Sequence, residues 1–477
     1  NKNFNKKIMP KKRKGFRIEK DSLGEVYVPN SALYGAQTQR AIDNFPISGI
    51  KMDFPFTNSF IDSLGIIKDA AAKANKSLGL LSTKKANAIS KAAKEVWQSK
   101  HNDQFPIDVF QTGSGTSSNM NANEVIANLA SKFAKTHIDP NDDVNMSQSS
   151  NDVIPTAIKV SAHTDLTKKL LPALDKLIEV TEKKGSSLKS IVKTGRTHLM
   201  DAMPLDFHQE LSAWVAQLKN SKKTLLFLET RMLEMPLGGT AVGTGINAHP
   251  RFARLFAKEL NKLSGGKCKN VPSDNFFHEL SAQDTAVQVS GELKNLATIL
   301  LKISNDLRWM NSGPLAGLSE IELQALQPGS SIMPGKVNPV IPEAVAMVAA
   351  DVIGNDVAIS IGAQSGNFQL NVMLPVIAYN LLKSINILSG GMNVLASKAI
   401  KTFKVNQKSI QASLDKNPIL VTALNPIIGY AKAAAIAKKA YKEDRAIIDV
   451  ALEETNLPKA KLQKLLNPAK LTKGGIS

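Results

Sequence analysis

Leu211-Ser212-Ala213-Trp214-Val215-Ala216-Gln217-Leu218, continued by Leu225, places large apolar side chains at i, i+3, i+4, i+7 and i+14. This is the stripe of a long amphipathic α-helix; a strand, with its period of two, would scatter the same residues over both faces. Leu293, Leu296, Leu300, Ile303 and Leu307 repeat the logic in a second segment. Helical patterns also fill 151–189, 342–363 and 374–399, the last interrupted by Gly390-Gly391, where close helix packing would explain the cost of two glycines. Five long helices with few strand-like runs give a mainly α fold built on a bundle. Segments so extensively apolar need partners beyond one chain, and the sequence predicts an obligate oligomer.

Outward from the bundle the patterns shorten. Residues 17–44 are rich in turns, with short β pieces such as Glu25-Val26-Tyr27-Val28, and the Ala, Lys and Asn of 62–100 read as helices. Breaks at Asn417-Pro418 and Asn425-Pro426 mark a small C-terminal domain. The expected division is a basic, disordered leader at 1–16, an N-terminal domain at 17–147, the central bundle at 148–403 and a C-terminal helical domain at 404–477.

Hydrophobic and charged fractions of 43% and 21% in 477 residues describe an ordinary globular protein. The single cysteine, Cys268, excludes an internal disulfide and a Cys-based metal or iron–sulfur site, and it points to a reducing compartment. The expected location is the cytoplasm, with the mitochondrial matrix as the alternative reading of the leader. Lys383 and Asp351 break the two longest apolar runs, so no membrane span is expected. Of the net charge of +19, a large part lies in residues 1–20, where Glu19 alone opposes nine cations. That segment has no amphipathic period and little aromatic content, which argues against nucleic acid as a partner. The remaining positive charge suits small acidic substrates.

Between the helices lie loops that can carry chemistry. Gly329-Ser330-Ser331-Ile332-Met333-Pro334-Gly335-Lys336-Val337-Asn338-Pro339 combines two glycines, two hydroxyls, one cation and one amide. It reads either as a loop that closes over an anion or as a Pro/Gly turn with a solvated lysine. It is not a nucleotide P-loop, because the glycines are one residue too far apart and Val337 stands where Ser or Thr should bind magnesium. Thr112 to Asn119 and Ser147 to Asp152 each precede a helical pattern, and each reads as an anion site at a helix N-terminus or as an ordinary Ser/Thr cap. In Gly195 to Pro204, His198 is the best candidate for a general acid or base, placed in a loop between two long helices. His101, His137, His163, His208, His249 and His278 show no metal-ligand pairing. Gly243 to Ala248 fits a dinucleotide pattern, but no strand is expected before it, and it reads as a helix-connecting turn.

Taken together, these loops resemble the fumarase/aspartase superfamily, and specifically the class II fumarases. The resemblance runs from about Arg17 to the C-terminal region and includes Gly35 to Arg40, Gln111 to Asn119, Ser147 to Asp152, Gly195 to His198, Gly238 to Gly245, Gly329 to Pro339 and Leu420 to Pro426. It implies a three-domain fold in which five-helix domains of a homotetramer form a central bundle, with active sites assembled from loops of three chains. It implies reversible hydration of fumarate to L-malate, a small dicarboxylate, without metal or organic cofactor. By the resemblance, Ser330 takes the C3 proton of malate and His198 handles the water, with Glu343 as the carboxylate that orients His198. Substrate contacts would come from Ser114, Gly115, Thr116, Ser149, Ser150, Asn151, Thr197, Ser331, Lys336, Val337 and Asn338.

The nearest rival is aspartate ammonia-lyase, which expels ammonia instead of water. Ser150, His198 and the stretch from Leu420 to Lys438 favour the fumarase; Tyr34, Ala41-Ile42 and Val340 to Glu343 look more aspartase-like. A non-catalytic structural homologue would be expected to have lost a proton-transfer residue, and none is missing. The family's accessory dicarboxylate site corresponds to Asp139-Pro140-Asn141-Asp142, where Asp139 replaces a histidine and should repel a dicarboxylate.

Overall fold

The computed structural model describes residues 14–475, so most of the expected leader, residues 1–13, lies outside the described residues. Among these residues eighteen α-helices dominate, and strands occur only as short pieces in five two-stranded ribbons. The two apolar stripes are core: from Leu211 to Leu225 and from Leu293 to Leu307, none of the ten side chains is more than 8% exposed. Burying a side chain of this size contributes about 1.5–3 kcal/mol, which is why this pattern outweighs local propensity.

The chain forms two compact units. One comprises the described residues up to Leu170 with Thr224–Lys294 and Asp351–Ile387; the other comprises Leu171–Lys223, Asn295–Ala350 and the chain from Leu388 onward. In the first, the expected β piece is the strand Gly24–Pro29, paired antiparallel with Phe16–Asp21. Helices Ser59–Ser77 and Thr83–Trp97 pack together around Phe60, Ile61, Leu64 and Ile67. Gly65 makes their approach possible, since a Cβ there would lie 2.7 Å from the Trp97 nitrogen. The buried Glu124 carboxylate accepts N–H groups from Gly35, Gln37 and Thr38 and so satisfies the start of helix Ala36–Asn44.

The second unit holds helix Leu171–Ser187, the hairpin Val192–Thr197 with Met200–Asp206, and a separate apolar cluster near the C-terminus that includes Leu420, Leu424, Ile436, Val450 and Leu462. Close packing does not account for both glycines at 390 and 391. A Cβ at Gly390 would meet nothing within 4 Å, and one at Gly391 would make only ordinary contact with Val348 at 3.6 Å. Helix Val340–Gln364 also departs from the reading of uninterrupted runs: despite Asp351 it is long and apolar enough to cross a membrane by length and composition. Only 33% of its most apolar window is buried within the chain, and Met347, Val357 and Ile361 are about half exposed or more.

Candidate active site

In the first unit three loops converge. Helix Thr116–Ala134 starts at Gly115, whose φ of 71° is left-handed and which offers no side-chain cap. Gln111 Oε1 accepts from Ser118 N at 3.1 Å, so a helix that begins this way keeps only its earlier N–H groups for an anion. Ser114 and Thr116 share a hydroxyl–hydroxyl contact of 2.7 Å beside that start. Ser149, by contrast, caps its helix: its hydroxyl accepts from Asn151 N, while Asp152 accepts from Ser149 N at 2.9 Å, a reciprocal capping box. Ser150 meets Asn119, whose amide nitrogen donates to Ser150 Oγ at 2.9 Å. Asn151 Nδ2 donates to Ala241 O at 2.8 Å, which ties in the third, glycine-bearing loop.

That third loop is preceded by a two-residue strand, Glu234–Met235, paired in parallel with Val271–Pro272, contrary to the expectation that no strand stands there. Its N–H groups still have another use. Gly238 N and Thr240 N donate to Asp152 Oδ2 at 3.0 and 2.8 Å, so a carboxylate of the chain occupies the loop. Burial pushes Asp152 up to about 6 against these hydrogen bonds.

Beneath the Asn145–Asn151 segment lies Lys68, fully buried in helix Ser59–Ser77 and brought down to about 7 by that burial. Its Nζ donates to Asn145 Oδ1 and Gln148 Oε1, both at 2.9 Å. Sequence reasoning passed over Lys68, Asn145 and Asn123. A signal existed: Ile61, Leu64, Lys68 and Asn75 fall at i, i+3, i+7 and i+14, placing two polar residues on the apolar stripe of a helix.

In the second unit His198 sits at the tip of an antiparallel hairpin rather than in an irregular loop. Thr197 pairs with Met200, and His198 and Leu199 have φ of 55° and 61°, the two left-handed residues of a tight hairpin turn. The hairpin is held from below: Lys193 Nζ lies 2.6 Å from Glu210 and 2.7 Å from Glu320, and Arg196 lies 2.7 Å from the other Glu320 oxygen. Glu343 occupies the first turn of Val340–Gln364. Among the described residues no hydrogen bond within the chain joins it to His198.

Gly329 to Pro339 folds on itself without regular structure. Gly329 N donates to Lys336 O at 2.8 Å, and Asn338 Nδ2 donates to Gly329 O at 2.6 Å, closing the loop at its neck. Inside it, Ser330 Oγ accepts from Ile332 N at 3.2 Å and Met333 N at 3.0 Å. Ser331, Lys336 and Val337 are exposed.

At the accessory position, Asp139 Oδ1 accepts from Asn141 N and Asp142 N at 2.7 and 2.9 Å, with Pro140 between them. A cleft of about 350 Å³ next to it is rimmed by Glu19, Asp21, Glu124 and Asp139 against Lys20 and His137.

A family model described as lyase matches residues 24–354, and one described as fumarase C C-terminus matches 420–473. Fumarate hydratase class II 2 of Pseudomonas aeruginosa is 57% identical over 460 residues, spanning 96% of this chain and 99% of its own. Fumarate hydratase class II of Bacillus subtilis is 46% identical over 463 residues, 96% of this chain and 99% of that one. The crystal structure of class II fumarase from Schistosoma mansoni superposes with a TM-score of 0.92 at 37% identity, covering 96% of this chain and 99% of that one.

Proposed function

Because the chain belongs to the class II fumarate hydratase family, we propose that it catalyses the reversible anti addition of water to fumarate, giving L-malate. The observation that supports this most directly is the pair of N–H groups aimed at Ser330 Oγ. A serine alkoxide is a strong base that needs stabilisation, and two backbone dipoles fixed before reaction supply it without reorganisation. Ser330 takes the C3 proton of malate, and the electron pair moves into the adjacent carboxylate as an aci-carboxylate. That intermediate expels the C2 hydroxyl, which leaves as water with a proton from the His198 imidazolium, and the ring is left neutral. Lys336 neutralises charge that builds on the carboxylate, and Asn338 together with Ser331 and Val337 shapes the loop around it. Ser114, Gly115, Thr116, Ser149, Ser150, Asn151 and Thr197 bind the carboxylates and hydroxyl.

The active site is shared between chains of a homotetramer in the cytoplasm, and the enzyme serves the tricarboxylic acid cycle. Two observations support the shared site: among the described residues Glu343 and His198 share no hydrogen bond or ion pair within one chain, and Val340–Gln364 leaves two thirds of an apolar window unburied. The division at 17–147, 148–403 and 404–477 follows from the same reading, with the middle part supplying the bundle.

Supplying L-malate and L-aspartate separately, and following fumarate by its ultraviolet absorbance, tests the reaction. Fumarate is expected from malate; its release from aspartate alone would make the chain an ammonia-lyase.

The self-capped Asp139 carries a second expectation. Its carboxylate already accepts the N–H pair of Asn141 and Asp142 and sets like charge against a dianion, although Arg17 and Arg40 pair with Glu19 and Asp21 on the same rim. Calorimetric titration with succinate should therefore give one site per chain, and Asp139→Ala should expose a second, weaker one. Two sites in the unaltered protein would refute the self-capping argument.

A further inference from the structure

Ser150 can serve a substrate carboxylate only if its own proton is free to be donated, and the packing around it decides that. Asn119 Nδ2 gives one hydrogen to Ser150 Oγ at 2.9 Å and another to Asn145 Oδ1 at 3.2 Å. Asn123 Nδ2 also donates to Asn145 Oδ1, at 3.2 Å. Amide orientation is ordinarily ambiguous, because the oxygen and nitrogen have nearly the same shape. Here Lys68 removes the ambiguity. As an ammonium its nitrogen only donates, and as an amine its two hydrogens still match both acceptors, so with the Gln148 carbonyl accepting at 3.1 Å on the other side Asn145 presents its oxygen to Lys68 and its nitrogen to Gln148 O. Asn119 and Asn123 must then turn their nitrogens to that oxygen, although their own Oδ1 atoms are buried and meet no protein donor.

We infer that Lys68 is a positioning residue for dicarboxylate binding: it fixes the polarity of the chain Lys68–Asn145–Asn119–Ser150 so that the Ser150 hydroxyl accepts from the protein and donates to the substrate. The inference rests on the proposed role of Ser150 as a substrate contact. The buried Asn119 oxygen shows what Lys68 prevents. Without the lysine, Asn145 is held only by the Gln148 carbonyl, and a joint flip of Asn145 and Asn119 lets Asn119 Oδ1 gain a partner by accepting the Ser150 proton, which is then lost to the substrate.

A double-mutant cycle on the full-length protein separates the two layers, with L-malate as substrate and succinate as a non-reacting probe in calorimetry. Ser150→Ala should raise KM and the succinate Kd by about tenfold or more, the scale of a hydrogen bond to a charged group. Lys68→Met should raise both by a similar factor with a smaller change in kcat, and the double variant should be no worse than about twofold beyond either single one. Multiplicative effects in the double variant would overturn the role of Lys68 while leaving Ser150 as a contact. An unchanged KM in Ser150→Ala would instead remove the reading on which the inference rests. If Lys68→Met does not fold, Asn119→Leu keeps the lysine and a similar shape but removes the donor to Ser150, without adding a charge that would repel a dianion in either background. It should raise KM in the Ser150 protein and have little effect in the Ser150→Ala background, whereas an equal effect in both would overturn the inference.

Discussion

Replacing Ser330 by alanine is expected to lower kcat by roughly 10²–10⁴, the range for losing a positioned proton-transfer group. Succinate binding should change little, because the loop's neck does not depend on the hydroxyl: Gly329 N–Lys336 O and Asn338 Nδ2–Gly329 O remain. What the substitution removes is the acceptor at the focus of two N–H groups, leaving Ile332 N and Met333 N aimed at a methyl. Ser330 is only partly exposed, whereas Ser331 is exposed and receives no such pair. Ser331→Ala should therefore cost far less, and it serves as the control for general disturbance of the loop. Steady-state rates with L-malate, together with size-exclusion profiles of both variants, check this. Equal losses in the two would refute the assignment of the base to Ser330, and an altered elution position of Ser330→Ala relative to the unaltered protein would point to a structural role.

The difference between what the sequence discloses and what the fold adds follows from the range of each interaction. Apolar stripes such as Leu293 to Leu307 are local and periodic, so they are readable directly, and all five of those residues are buried. Gly329 to Pro339 is likewise legible as a non-helical loop, since its glycines and prolines interrupt any helix, and it has no regular structure, but the sequence alone leaves it between an anion-closing loop and an ordinary turn. His198 was found as a residue but misplaced in its element. Its hairpin turn is formed by His198-Leu199 in the left-handed region, without the Asn-Gly pair that usually announces such a turn. Lys68 was overlooked because a lysine in an Ala-rich helix reads as solvated, and its partners at 145 and 148 are nearly eighty positions away. The same limit applies to Asp139, where the replacement of a histidine was legible but its self-capping required the backbone geometry.

Gly113→Ala should be the most damaging single methyl in the loop that begins the Thr116–Ala134 helix. The obstacle is collision rather than torsion: a Cβ at Gly113 would stand 1.8 Å from Val372 O and 2.6 Å from Val372 C. Neither side can yield easily. Leu374 N donates to Gly113 O at 3.0 Å, and Asn371, fully buried, fixes the approaching strand through Gly362 O at 2.9 Å and Met373 N at 2.9 Å. Overpacking usually costs about 1–3 kcal/mol, and a backbone obstacle held by three hydrogen bonds places this site at or above the upper end. Gly115→Ala provides the comparison, because its φ of 71° adds about 1–2 kcal/mol of left-handed strain while its nearest obstacle, at 2.9 Å, is the buried side chain of Ile154 rather than backbone. The expected order of thermal midpoints is unaltered protein, then Gly115→Ala, then Gly113→Ala. The second substitution should also raise KM for malate, since the displaced segment carries Ser114 and Thr116. A Gly113→Ala protein with an unchanged midpoint would mean that the Val372 carbonyl can move after all, and that this contact does not hold the turn before helix Thr116–Ala134 in place.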